Sequence, residues 1–196
     1  MLMRRGRRHD SHGLELLLLR RGAGAKFMPG VWVFAGGIVD PGDFDADDPP
    51  VEHDREEWAH RVAGARELGE EGRIEIGPGG LLLWSRWITP EVVPVRFDTR
   101  FYVALAPPHA QPEPDGVEMD EARWIGPDEA LRGAEAGEME ISFPTTRHLE
   151  ELATFTSIEE VMAAARERVG EPILPRVRID GDSFEIVLPG EAGYED

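Results

Sequence analysis

The stretch Arg66-Glu67-Leu68-Gly69-Glu70-Glu71-Gly72 sets three carboxylates at helical spacing: Glu67 and Glu71 are four residues apart, and Glu70 stands three from Glu67. Residues at those separations are neighbours on a helix surface, so the three acids converge on one face and would repel one another without a partner. Two partners suit such a face. Water is the commoner one, which would make the triplet an ordinary solvated acidic surface. A hard divalent cation, Mg2+ or Mn2+, is the other, because it prefers oxygen ligands and is often held by a few carboxylates together with substrate phosphates and water. A cation held there would neutralise a diphosphate, orient it and lower the pKa of a bound water for attack on phosphorus.

Outward from the triplet, a helix is predicted over 54–72. Asp54 suits its N-cap, and Glu56 and Glu57 suit the positive end of its dipole. At about 100° per residue, Trp58, Val62 and Ala65 fall on one side and Glu67, Glu70 and Glu71 on the other. Residues 38–57 hold Pro41, Gly42, Pro49, Pro50 and nine acids, the pattern of a long solvated loop. Before that loop, Val31–Phe34 lies between Pro29-Gly30 and Gly36-Gly37 and reads as a short strand. Leu14–Leu19, closed by Arg20, Arg21 and Gly22, reads as a buried one. Leu81–Ile88 and Arg96–Ala106 look like two strands joined through Thr89-Pro90 and Pro94, and Arg123–Ile125 like a third, so a mixed or antiparallel sheet follows. Helices are predicted from Pro127 and Pro144, and a capping box of Ser157 with Glu160 opens a helix ending near Gly170. Val177–Leu188 reads as a hairpin turning at 180–182. No repeat and no second core marks off a separate domain, so one domain over 1–196 is expected, with a helix and hairpin extension at about 157–190.

Composition narrows the function. The 196 residues carry 39 acids against 21 bases, a formal net charge of −18, which argues against non-specific nucleic-acid binding because that needs a basic face. Cysteine is absent, so disulfides, thiolate metal sites and cysteine nucleophiles are excluded. The arginine-rich start runs into His9, Asp10, Ser11 and His12 rather than an apolar signal core, and the run at 14–19 is far short of the roughly 20 residues that span a bilayer. No membrane association is expected, and a cytoplasmic location fits.

The triplet in its setting resembles the Nudix hydrolases, whose signature reads G-x5-E-x7-R-E-U-x-E-E-x-G-U with U bulky and apolar. Phe34-Ala35-Gly36-Gly37 stands where the family usually has Phe-Pro-Gly-Gly. Counted from Gly37, the signature's first acid falls on Asp43 rather than Glu, and its Arg, due at 51, stands at 66, an insertion of 15 residues. The late Gly of the signature should occupy 73, where the chain has Arg73 followed by the expected bulky Ile74, so a shifted or reshaped helix end is expected. An insertion inside the box is similar to the subgroup that includes the peroxisomal coenzyme A diphosphatases. Phe27–Phe34, Trp87–Pro90, Arg96–Phe101 and Phe143–Thr145 agree with it, although the Thr/Ser-rich stretch by which many coenzyme A enzymes are known is not evident before Phe34.

The resemblance implies an α/β Nudix fold, a mixed sheet sandwiched between helices, with Met1–Arg4 matching the end of the family's first strand, so that the start looks clipped. It implies hydrolysis, dependent on Mg2+ or Mn2+, of a nucleoside diphosphate linked to another moiety. Coenzyme A or acyl-coenzyme A is one such substrate; ADP-ribose, NADH and nucleotide sugars are others, and a silent binding module is a third reading. Glu67, Glu70 and Glu71 would hold the metal, Arg66 would brace a carboxylate, and Gly36 and Gly37 would let backbone approach helix and substrate. The general base falls either on the box, at Glu67 or Glu70, or on a later loop offering Glu118 and Glu121. Arg96 and Arg100 lie on one strand face with Asp98 between them, as a substrate contact or a structural ladder. Trp84, Trp87 and Phe101 are core or stack on a base, Thr145 and Arg147 are further candidates for substrate contact, and His53 and His60 read as surface residues. A homodimer is compatible with the family.

Overall fold

The leucine run explains the centre of the molecule. In the computed structural model, which describes residues 1–6, 13–46, 49–50, 54–180 and 183–194, β1 spans Leu2–Arg5 and β2 spans Leu14–Arg21. Successive side chains of a strand point to opposite faces. Leu14, Leu16 and Leu18 enter one cluster with Trp32, Trp84, Leu149 and Val161, while Leu17 and Leu19 enter another with Leu68, Ile74 and Met119. A strand buried on both faces is apolar at nearly every position, so the run shows no alternation. Glu15, its one acid, is buried and ion-paired with Arg4 at 2.7 Å.

Around β2 the sheet is mixed. The other strands are β3 (Trp32–Val33), β4 (Leu82–Ile88), β5 (Asp98–Leu105), β6 (Met119–Ile125) and β7 (Pro172–Ile173). They run in the order β3-β2-β1-β5-β4-β7, and β6 pairs with β2. The β1–β5 and β4–β7 pairs are parallel, and the others are antiparallel. Helix α1 (Arg55–Gly72) covers one face. On the other lie α2 (Pro127–Glu135), α3 (Phe143–Leu152) and α4 (Ile158–Arg166). Strands β8 (Arg176–Asp180) and β9 (Ser183–Val187) form the expected hairpin; its turn lies outside the described residues. No helix among the described residues is long and apolar enough to cross a membrane.

Two helix ends differ from expectation, each for a local reason. Helix α4 stops at Arg166, short of Gly170, because Arg168 leaves the helical path: its guanidinium lies 3.6 Å over the Trp84 ring, donates to the Trp84 carbonyl at 3.0 Å and pairs with Glu151. Helix α1 is not shifted at all. It ends on Gly72, and Arg73 caps it in the left-handed conformation (φ 54°, ψ 31°), donating its N–H to the Gly69 carbonyl. Glycine adopts that conformation without the Cβ clash that other L-residues suffer, and Arg73 adopts it in spite of the clash.

Candidate active site

The acidic end of α1 meets two loops. The start of α1 is set by Asp54, whose carboxylate accepts the Glu57 N–H at 2.8 Å. At the other end, β3 delivers Gly36 and Gly37 against the helix. The Gly36 N–H donates to Oε2 of Glu71 at 2.9 Å. A Cβ at Gly37 would collide with the Glu67 carboxyl group, whose three atoms all lie within 2.8 Å of that point, so no side chain fits there. The second loop forms a short 3-10 turn at Pro41–Phe44 and presents Asp43, buried to 3% exposure.

Arg66 ties the three segments together. Its Nε and Nη2 donate to the two oxygens of Asp43 at 3.0 and 3.1 Å, the bidentate geometry in which guanidinium and carboxylate bind most strongly. Nη1 donates to Glu67 at 2.8 Å and Glu70 at 3.2 Å, and Nη2 also to the Ile38 carbonyl at 3.0 Å. Burial pushes the Asp43 carboxyl up, but Arg66 and the Asp40 N–H outweigh it and hold its pKa below the ordinary value. The Asp43 hydrogen bonds in turn raise the Arg66 pKa. Asp43, one methylene shorter than the signature's Glu, thus serves the arginine clamp. The insertion closes on itself between the two, since Arg55 donates to the Phe44 carbonyl at 3.2 Å and to Asp45 at 3.0 Å. Pinning its two ends together lets the extra residues leave the Asp43–Arg66 pair in register.

The acidic face expected to be solvated is partly enclosed. Glu71 is 4% exposed, and burial pushes its pKa up to about 8 against the opposing Gly36 N–H. Glu67, half-buried, is also raised by burial, with Arg66 opposing, whereas Glu70 is 60% exposed. The charge of Glu118 acts on both Glu67 and Glu71, so the loop before β6 does face the helix. Glu121 instead pairs with Arg20 and Arg123. Among the described residues no three acidic or histidine side chains stand ready-arranged around a metal position. Glu71 turns to Gly36, and Glu67 and Glu70 turn to Arg66. The donor set nevertheless fits Mg2+ or Mn2+: it is all hard oxygen, and a buried carboxylate met by a single N–H lacks the counter-charge that its ionised form needs.

The other candidates lie elsewhere. Arg100 is held at the opposite end of α1, 2.8 Å from Glu56 and 2.6 Å from the His60 ring. Arg96 precedes β5 and donates to the Thr89 carbonyl at 2.8 Å. The Arg96-Asp98-Arg100 ladder does not form, because Asp98 pairs across the strands with Arg86. His60 is half-buried rather than a surface residue, and His53 lies outside the described residues. Trp84 and Trp87 are core, Phe101 packs against the same core, Thr145 is buried at the start of α3, and Arg147 pairs with Glu150 and Glu191. Arg21 was missed by the sequence reading, which took it only as the end of a strand. Its charge is felt at Glu71, and its place beside Gly22 at the close of the buried run is the signal that marks it.

A NUDIX domain model matches residues 2–149. "Putative nudix hydrolase 7" of Caenorhabditis elegans is 27% identical over 219 aligned positions, covering 93% of this chain and 70% of that protein. The crystal structure of a NUDIX hydrolase from Alicyclobacillus acidocaldarius superposes with a TM-score of 0.72 at 25% identity, over 83% of this chain and 92% of that one. A MutT NUDIX hydrolase from Burkholderia pseudomallei, 18% identical, shares the fold with a TM-score of 0.51 over 77% of this chain and 93% of its own. With three-quarters of its length matched and its box glutamates clustered beside the Gly-Gly loop, the chain belongs to the Nudix hydrolase family.

Proposed function

We propose that this Nudix hydrolase uses Mg2+ or Mn2+, bound through Glu67, Glu70 and Glu71, to split the diphosphate of coenzyme A or an acyl-coenzyme A, with no part for nucleic acid or membrane. The observation that carries the site is Glu71, buried beside Glu67 and met by one N–H. A bound cation would neutralise diphosphate charge and polarise the phosphoryl oxygen. The chain's own residues do the rest. Arg66, anchored on Asp43, holds Glu67 and Glu70 in place. Gly36 steadies Glu71, and the bare Gly37 leaves room for the Glu67 carboxylate. Water attacks one phosphorus and the bond to the bridging oxygen breaks, which yields two phosphate monoesters. The proton leaves the water for a nearby carboxylate, and Glu118 is placed to take it, its charge being felt at Glu67 and Glu71. The coenzyme A assignment is supported by the 15-residue insertion between Asp43 and Arg66.

Initial rates with coenzyme A, ADP-ribose, NADH and a nucleotide sugar test this in Mg2+. Wild type should turn over coenzyme A best, and Glu70→Gln and Glu71→Gln should each lower kcat by 100-fold or more, on the order of a lost charge-stabilising group. Preference for ADP-ribose would remove the coenzyme A assignment. Full activity in both variants would remove the metal site.

A further inference from the structure

Large apolar side chains exposed singly are normal on a folded protein; three here border one cleft. Phe27, Ile38 and Val117 are 66%, 69% and 79% exposed. Each is tied to the carboxylate site through its backbone. The Phe27 carbonyl accepts from Nε of Arg21 at 2.7 Å, and the Arg21 charge acts on Glu71. Ile38 follows Gly37, and its carbonyl accepts from Arg66. Val117 precedes Glu118, whose carbonyl accepts the Gly22 N–H at 2.8 Å. Phe27 is displayed by a strained turn: Met28 sits at φ 47°, a left-handed value that residues other than glycine seldom adopt, and Gly30 at φ 81°. Strain of that kind gathers at ligand clamps.

We propose that Phe27, Ile38 and Val117 form an apolar rim that binds the acyl chain of an acylated coenzyme A, and so set the enzyme's preference for acylated over free substrate. The inference rests on the function proposed above and adds the residues that read the far end of the substrate. Two of the three side chains are branched aliphatics, which offer no donor or acceptor to the edge of a nucleobase but suit a flexible hydrocarbon. Their surroundings are acidic, with Asp115 and Glu118 beside Val117 and Asp40 near Ile38. Apolar contact is therefore the attraction this rim offers an anionic substrate. It is also continuous with the carboxylates, so a chain leaving the cleft crosses it.

The test compares coenzyme A with its octanoyl thioester, in wild type and in Phe27→Ser, Val117→Ser and the double variant. Both KM and kcat are read in Mg2+, with equilibrium binding of the same two ligands by calorimetry. For wild type the octanoyl ester should have a KM and a Kd about tenfold below those of coenzyme A, in keeping with the burial of a few methylenes. The double variant should bring the two ligands within about twofold of each other and leave kcat and the KM for free coenzyme A unchanged. Equal KM and Kd for the two ligands in wild type would overturn the rim. So would variants that weaken free coenzyme A and the ester alike, since the side chains would then serve the part both share. If no diphosphate is hydrolysed the proposed function falls, and the calorimetric comparison still decides the rim.

Discussion

Arg73 occupies the position at which the family signature has glycine, and it takes up glycine's conformation at φ 54°. A left-handed L-residue costs roughly 1–2 kcal/mol, of which the greater freedom of glycine in the unfolded chain takes back part. Arg73→Gly should therefore stabilise the fold by about 0.5–1 kcal/mol, read as a higher midpoint in urea with an unchanged slope. Glu71 gives a pH dependence of definite sign. Folded without a cation, it keeps its proton up to about pH 8, whereas in the unfolded chain it gives the proton up near 4.5. The unfolded state then binds fewer protons between those values, so this group's contribution to stability is full below about 4.5 and is lost as pH rises toward 8. Urea melts from pH 5 to 8 in EDTA should show that decline, and saturating Mg2+ should flatten it by binding the ionised form. An identical decline with and without Mg2+ would mean that no cation reaches Glu71.

At the scale of elements, α3 is locked to the sheet through one histidine. His148 is 1% exposed; its Nε2 lies 2.6 Å from Oγ of Ser85, which also accepts the Trp87 indole N–H at 3.1 Å, and its Nδ1 donates to the Pro144 carbonyl. Its ring packs against Phe34, Trp87 and Phe101, and burial lowers its pKa to about 4 despite that carbonyl and the charge of Glu151. The folded state thus holds it neutral. The stability it contributes is present above about 6.5 and is lost as pH falls toward 4, up to about 3 kcal/mol in all. Denaturant melts at pH 7 and pH 5 measure the loss, and a His148→Gln variant should show a flatter dependence in that interval. Since Phe34 leads directly into Gly36, activity should fall with the same acid limb.

Elements that carry their own signal were legible in the sequence: the leucine run of β2, and α1 with its Asp54 cap. The two-residue strands β3 and β7 are made by partners far away in the chain. A residue pair has too little pattern to announce itself, although Pro29-Gly30 and Gly36-Gly37 did bracket β3. The end of α4 could not be read because Trp84, on which Arg168 lies, is 84 residues distant. In the site, spacing alone placed Glu67, Glu70 and Glu71 together. The burial of Glu71 depends on where β3 and its following loop pack, and the failure of Arg96 and Arg100 to meet Asp98 depends on Arg86 across the hairpin.

Over the whole molecule the charge has an address. Residues 40–75 hold 13 acids and 4 bases, a net −9, and residues 113–121 hold 5 acids and no base, a net −5. These segments carry 14 of the 18 net negative charges and supply Asp43, the box glutamates and Glu118. Such a field repels a bare diphosphate, so binding requires cations that invert the local potential. The 31P spectrum of coenzyme A, ADP-ribose and NADH incubated with the protein tests this most directly. The diphosphate resonances should give way to phosphate monoesters in Mg2+ and persist in EDTA. Diphosphates left intact in Mg2+ and Mn2+, or cleaved equally in EDTA, would contradict the account.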